Sequence, residues 1–182
     1  GFGDVELRDL TEYIFPALSH YKKLGENFDC IYSGFLASKD QIDHCLEFFS
    51  SFPKALKVVD TVMGDNGKPY RTCTPDLQKR MAELVAVADI ITPNVTEAKI
   101  LLGEPLDVLP MTTTEAKSRL VRLAEKGPDI VVITGVDMAE GKKCNIGYDK
   151  RNSSFWKVPF EYVNVNYPGT GDIFASVLVG AI

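Results

Sequence analysis

The sequence predicts an α/β fold, with a mostly parallel central sheet covered on both faces by helices (an α/β/α sandwich). Three observations predict it. Short apolar runs rich in β-branched residues alternate with segments of helical periodicity through most of the chain. Several helical segments open on a capping residue or close on glycine. The 182 residues suffice for one domain with a real core.

In chain order, Gly1 to Asp4 reads as a loop. Leu7 to Leu24 carries Leu10, Tyr13, Ile14, Ala17, Leu18 and Tyr21 at helical spacing, with Pro16 expected to kink or divide the helix and Gly25 to end it. Phe28 to Ser33 is a short strand followed by Gly34. Ser38 and Gln41 form a capping box for a helix from Lys39 to Ser51, whose inner face is Ile42, Cys45, Leu46 and Phe49. Ala55 to Val62 is a second strand that runs into a Gly-rich acidic loop, Asp60 to Gly67. Thr74 caps and Pro75 opens the next helix, with Leu77, Met81, Leu84, Val85 and Ala88 as its stripe.

Asp89 to Thr92 is a third strand. A short helix from Glu97 to Leu102 closes on Gly103. Thr112 and Glu115 form a second capping box ahead of a helix from Ala116 to Lys126. Ile130 to Thr134 is strongly β-branched and ends at Gly135. Cys144 to Tyr148 and Phe155 to Val158 read as a hairpin around Asp149 to Asn152. Ile173 to Ile182 reads as a buried apolar helix. No repeat or low-complexity linker interrupts the pattern.

Composition excludes some functions. A net charge of −5 argues against a broad nucleic-acid-binding surface. No apolar run is long enough to span a bilayer, and the first residues carry no signal-peptide pattern. Cys30, Cys45, Cys73 and Cys144 are scattered, so they read as reduced thiols of a cytoplasmic protein.

The chemistry concentrates at predicted strand ends, where parallel sheets bind ligands. Asp60 to Asp65, Thr92 to Glu97, Thr134-Gly135 and Gly169 to Asp172 should gather along one edge. In Asn166-Tyr167-Pro168-Gly169-Thr170-Gly171-Asp172, a Gly-rich turn opens a helix. Free N–H groups there attract an anion, above all a phosphate. Asp172 in the first turn can take a proton from a hydroxyl that attacks a phosphoryl group. The plain alternative is an ordinary turn with an acid at a helix start. Asp60, Asp65, Glu97 and the oxygens of Thr92, Asn94 and Thr134 suit Mg²⁺ held through water and substrate phosphates. No Walker A sequence is present.

At these residues the chain resembles the ribokinase superfamily, and within it the pyridoxal kinases. Asp60-Thr61-Val62-Met63-Gly64-Asp65-Asn66-Gly67 is similar to that family's Asp-Pro-Val-Met-Gly-Asp loop. Ile91 to Glu97 resembles its Thr-Pro-Asn-x-x-Glu segment, and Gly169 to Asp172 its catalytic signature. The resemblance runs from about Gly1 to Ile182 and implies one ribokinase-like kinase domain over residues 1–182. The ends, Gly1 and Ile182, look cut, so that domain is expected to be incomplete at both termini.

The resemblance implies ATP-dependent phosphorylation of the 5′-hydroxymethyl group of pyridoxal, pyridoxine or pyridoxamine. Asp172 would be the base, and the N–H groups of Gly169, Thr170 and Gly171 would hold the moving phosphoryl group. Asp65 and Glu97 would handle Mg²⁺, largely through water. Asp60 and Thr92 would line a monovalent-cation or metal site. Asn94 and Thr134 would contact the nucleotide phosphates, and Phe35 would lie against the pyridine ring. A homodimer is implied as well, with no nucleic-acid or membrane partner.

The chain departs from the family pattern in places. Thr61 stands where proline is usual, and Gly1-Phe2-Gly3 resembles only the tail of the substrate flap. The family's opening strand, with its substrate-binding residues, and its adenine-closing segment are not in this sequence. Two alternatives follow: a hydroxymethylpyrimidine or sugar kinase of the same superfamily, or a catalytically inactive nucleotide-binding fragment.

Overall fold

The computed structural model describes residues 6, 8–163, 165 and 167–182. Gly1 to Asp4, Leu7 and Asn166 lie outside them. Helix α1 spans Thr11–Leu24, and strand β1 spans Cys30–Ser33. Helix α2 (Lys39–Ser51) and strand β2 (Leu56–Val59) follow. Two short strands, β3 (Gly64–Asp65) and β4 (Lys68–Pro69), precede helix α3 (Pro75–Val87). Next come strand β5 (Ile90–Ile91), helix α4 (Val95–Leu102) and helix α5 (Thr113–Ala124). Strands β6 (Ile130–Asp137), β7 (Lys143–Asp149) and β8 (Ser154–Phe160) precede helix α6 (Thr170–Ala181).

Six strands form one sheet in the order β1-β2-β5-β6-β7-β8. β1, β2, β5 and β6 pair in parallel, with Ser33 opposite Val59, Val59 opposite Ile91, and Ile91 opposite Val131. β7 and β8 add an antiparallel edge, joined by the expected hairpin. Side chains alternate between faces along each strand. Val59, Ile91, Val131 and Ile133 therefore share a face, and they join Ile42, Phe49, Met81, Leu84, Leu120 and Leu123 of the helices in one core. Val58, Ile90 and Val132, on the opposite face, are buried too. The double burial explains why the central strands read as continuous apolar runs.

The expected helix faces pack as their spacing requires. Ile42 and Phe49 of α2 are buried, with Cys45 and Leu46 partly so. The stripe Leu77, Met81, Leu84, Val85 and Ala88 of α3 is buried in full. Several boundaries differ. α1 begins at Thr11 and runs through Pro16 as one helix. Pro16, the sixth residue of the helix, forfeits its own N–H bond to the turn before it, and the helix continues on either side. α5 begins directly after its cap, Thr112. In α2 the box is half formed: Ser38 accepts from Gln41 N–H, but the Gln41 amide oxygen turns back to Ala37 N–H at 2.7 Å.

Three features run against expectation. The acidic loop after β2 is a hairpin, β3–β4, turned by Asn66 (φ +50°) and Gly67 (φ +73°). Two consecutive positive φ angles make the turn type that Asn-Gly favours. β6 continues past Thr134 through a register shift between Ile133 and Val136, where Gly135 takes φ +66°. Helix α6, expected to be buried, buries only Ala175; Ile173 and Val177 are two-thirds exposed. An apolar composition reports the capacity to be buried, and it needs a covering element that no described residue supplies.

Candidate active site

The C-terminal ends of the parallel strands are stitched together by backbone hydrogen bonds. Asp60 N–H donates to Ser33 O at 2.9 Å, Thr92 N–H to Val59 O at 3.2 Å, and Thr134 N–H to Pro93 O at 2.9 Å. Ser33 at the end of β1, Asp60 just past β2, Thr92 and Pro93 just past β5, and Thr134 at the bend of β6 are thus linked edge to edge. A cavity of about 870 Å³ opens above it. Phe35, Asp60, Asp65, Thr92, Asn94, Glu97, Thr134, Gly169, Thr170, Gly171 and Asp172 all line this one cavity.

The turn into α6 supplies the anion-binding end. Gly169 is its N-cap at φ +85°, and no side chain caps the helix. The first intrahelical bond runs from Ile173 N–H to Gly169 O at 3.1 Å. The N–H groups of Thr170, Gly171 and Asp172 therefore have no partner within the helix and stand at the positive end of its dipole. A Cβ added to Gly171 would lie 3.6 Å from Asp60 Oδ2, so this turn approaches the end of β2 closely.

Asp60 is buried beside it. Burial pushes its carboxyl up to about 6; the Tyr32 hydroxyl pulls the other way, and the charge of Asp172 adds to the rise. Thr92 Oγ1 is buried and has no partner in hydrogen-bonding geometry, although it lies near enough to Asp60 to favour the carboxylate. Tyr32, which no motif singled out, reaches both acids. Its hydroxyl is 3.3 Å from Asp60 Oδ2 and 3.4 Å from Asp172 Oδ1. Its signal in the sequence is faint: an aromatic with a polar tip, one residue before the end of a strand.

Glu97 is 3% exposed. It completes a capping box with Asn94 at the start of α4, which begins two residues earlier than expected. Glu97 Oε2 accepts from Asn94 N–H at 2.9 Å, and Oε1 accepts from Met63 N–H at 3.1 Å. Thr61, in the position where proline is usual, brings its hydroxyl to 3.4 Å from Oε2. Burial pushes this carboxyl up to about 8 against the pull of those N–H donors. The Asn94 amide is also engaged: its oxygen accepts from Glu97 N–H, and its nitrogen donates to Gly64 O at 2.7 Å. One amide hydrogen of Asn94 is left for a ligand. Gly67 N–H donates to Thr96 Oγ1 at 2.9 Å, a third tie between the hairpin and α4. Asp65 is exposed, with its carboxylate accepting from the backbone and side-chain amides of Asn66.

Among the described residues no three His, Cys, Asp or Glu side chains converge to hold a metal ion directly. Asp60, Asp65 and Glu97 therefore do not form a cage of their own. The donor set does suit a cation held through water. Among the described residues, seven carboxylates and a single cationic side chain, Lys143, line the cavity. A polyphosphate entering such a cavity needs accompanying cations to offset the repulsion.

Phe35 stands at the cavity wall, 51% exposed, and offers a free aromatic surface. Among the described residues no helix is long and apolar enough to cross a membrane. Cys73 and Cys144 are buried, while Cys30 and Cys45 are partly so; burial raises the Cys45 thiol to about 11.

Human pyridoxal kinase is 29% identical over 170 residues, which cover 84% of this chain and 53% of the human protein. A candidate phosphomethylpyrimidine kinase of Bacteroides thetaiotaomicron, crystallised with pyridoxal, superposes with a TM-score of 0.90 at 38% identity, over 99% of this chain and 64% of that one. Pyridoxal kinase from Lactobacillus plantarum superposes with a TM-score of 0.87 at 27% identity, over 100% of this chain and 64% of that one. The chain spans about half the length of the curated relatives it matches. The fold is ribokinase-like. Residues 24–182 match the phosphomethylpyrimidine kinase family, and the chain belongs to it.

Proposed function

We propose that the protein transfers the terminal phosphoryl group of ATP to the 5′-hydroxymethyl group of a vitamin B6 compound: pyridoxal, pyridoxine or pyridoxamine. One observation carries this reading. The uncapped first turn of α6 presents free N–H groups beside the carboxylate of Asp172, in a cavity shared with Phe35 and the two acidic loops.

In this reading the N–H groups at Gly169 to Asp172 hold the transferring group, and Asp172 accepts the proton of the attacking hydroxyl. Phe35 supplies the face on which a pyridine ring stacks. Thr134 and the remaining amide hydrogen of Asn94 meet the nucleotide phosphates. Asp65 and Glu97 hold Mg²⁺ through water, and Asp60 with Thr92 bounds a monovalent cation. Bound Mg²⁺ would offset the charge that develops on the phosphates. The protein works in the cytoplasm as a homodimer.

The relatives support the choice of acceptor: pyridoxal kinases match the sequence, and a structure with pyridoxal matches the fold. The family's name, phosphomethylpyrimidine kinase, supports a second reading in which the acceptor is a methylpyrimidine, tested as its hydroxyl form, hydroxymethylpyrimidine. The native protein, incubated with ATP, Mg²⁺ and each acceptor in turn, decides between them. Formation of pyridoxal 5′-phosphate supports the first. Phosphorylation of hydroxymethylpyrimidine alone establishes the second.

A further inference from the structure

Tyr32 lies on the sheet face opposite the helical core, in register with Val58. Its hydroxyl stands between two carboxylates, 3.3 Å from Asp60 Oδ2 and 3.4 Å from Asp172 Oδ1. The ring has room because residue 34 is glycine. A Cβ there would lie 3.1 Å from the hydroxyl oxygen and 3.4 Å from Cε1. Asp172 Oδ2 lies instead on the side of the turn, 3.8 Å from where a Cβ on Gly169 would stand. The two oxygens of Asp172 therefore have different surroundings: a phenol for Oδ1, the amide-rich turn for Oδ2.

An exposed aspartate at a helix start turns about two side-chain torsions, and rotation of its carboxylate is broad. A base must point a particular lone pair at the proton that it takes, and small misplacements cost rate heavily. The Tyr32 hydroxyl has one proton to donate.

We infer that Tyr32 is a positioning residue for the base. It donates to Asp172 Oδ1, sets the rotation of the carboxylate, and keeps Oδ2 beside the phosphoryl cradle. This inference rests on the reading of Asp172 as the base. As the acceptor oxygen bonds to phosphorus, its proton passes to Oδ2. The bond from phosphorus to the bridging oxygen breaks, and ADP leaves with that electron pair. The Tyr32 hydrogen bond to Oδ1 persists throughout, so no further reactant is needed. Asp60 Oδ2 stands 3.3 Å from the hydroxyl oxygen on the side of β2 and competes for its single proton; in the productive arrangement that proton points to Asp172.

The test is kinetic and uses the native protein, with pyridoxal and hydroxymethylpyrimidine as parallel acceptors. Tyr32→Phe keeps the ring and loses only the hydroxyl. Its kcat is expected to fall about tenfold or more, with both KM values within twofold and an unchanged thermal midpoint. Gly34→Ala, which crowds the hydroxyl, should lower kcat when Tyr32 is present and have little effect in combination with Tyr32→Phe. That dependence is one a merely structural role would not show. A Tyr32→Phe protein whose kcat matches the native value overturns the inference alone. So does a variant whose KM values rise while kcat holds. A native protein inert towards both acceptors overturns the proposed function, and this inference falls with it.

Discussion

The N–H of Met63 donates to Glu97 Oε1 at 3.1 Å, across 34 residues of sequence. The same carboxylate caps α4 through Asn94 N–H. One buried side chain thus joins the loop after β2 to the helix after β5, and the acids of the cavity are held in register by it. An acid expected, with Asp65, to handle a metal is also a structural keystone.

The base is the first assignment to test. Asp172→Asn keeps the size and the helix start but removes the proton acceptor. The expected loss of kcat is about 10²- to 10⁴-fold, with nucleotide binding retained by calorimetry. Turnover near the native rate would remove Asp172 from that role.

Glu97→Gln tests the keystone. The amide has one oxygen for two N–H donors, so its NH₂ must face one of them. A loss of about 1–3 kcal/mol at pH 5 is expected in urea titrations. The pH dependence follows from the raised carboxyl. In the folded chain Glu97 titrates near 8, against 4.5 in the ordinary range. The folded state therefore holds the proton more firmly, and the stability it contributes is complete below pH 4.5 and lost as pH climbs through 8. The native advantage over Glu97→Gln should narrow from pH 5 to pH 8.5. The charge of Asp60 raises the Glu97 carboxyl further, and its repulsion of ionised Glu97, absent in the variant, adds to the narrowing.

Gly67→Ala tests the hairpin. Residue 67 sits at φ +73°, and a Cβ would stand 2.6 Å from Leu106 O. Strain and displacement together are expected to cost about 1–3 kcal/mol. Thermal unfolding would show it, and an unchanged midpoint would mean that the hairpin refolds around the methyl group.

Two glycines of α6 should respond in opposite senses. Gly169→Ala strains the N-cap at φ +85° with no steric neighbour closer than Asp172 Oδ2. It should cost about 1–2 kcal/mol and lower kcat by distorting the cradle. Gly180→Ala meets nothing within 4 Å inside the same helix. It should add up to about 1 kcal/mol by helix propensity, with kcat unchanged. Equal effects on kcat would separate the cradle from catalysis.

The architecture was legible because its signals are local. Short apolar runs marked the parallel strands; Thr74 marked the start of α3, and Thr112 marked the cap of α5, whose first turn begins three residues before the expected Ala116. The eleven candidate residues line one cavity because most lie just past a parallel strand or at a helix start, with Asp65 in β3 and Thr134 at the register shift of β6. The Asn66-Gly67 pair is itself a hairpin signal, set within the acidic loop.

By itself the sequence determined the order of strands and helices, the apolar faces and the chemistry gathered at the sheet edge. Only the tertiary structure decided which atoms are free to act. Glu97 and Asn94 divide their hydrogen bonds between capping α4 and tying it to Thr61, Met63 and Gly64, and Tyr32 joins Asp60 to Asp172 from a strand that no motif marked. The physical reason is range. Periodicity and capping act over a few residues, whereas a buried carboxylate finds its donors wherever the fold brings them within about 3 Å.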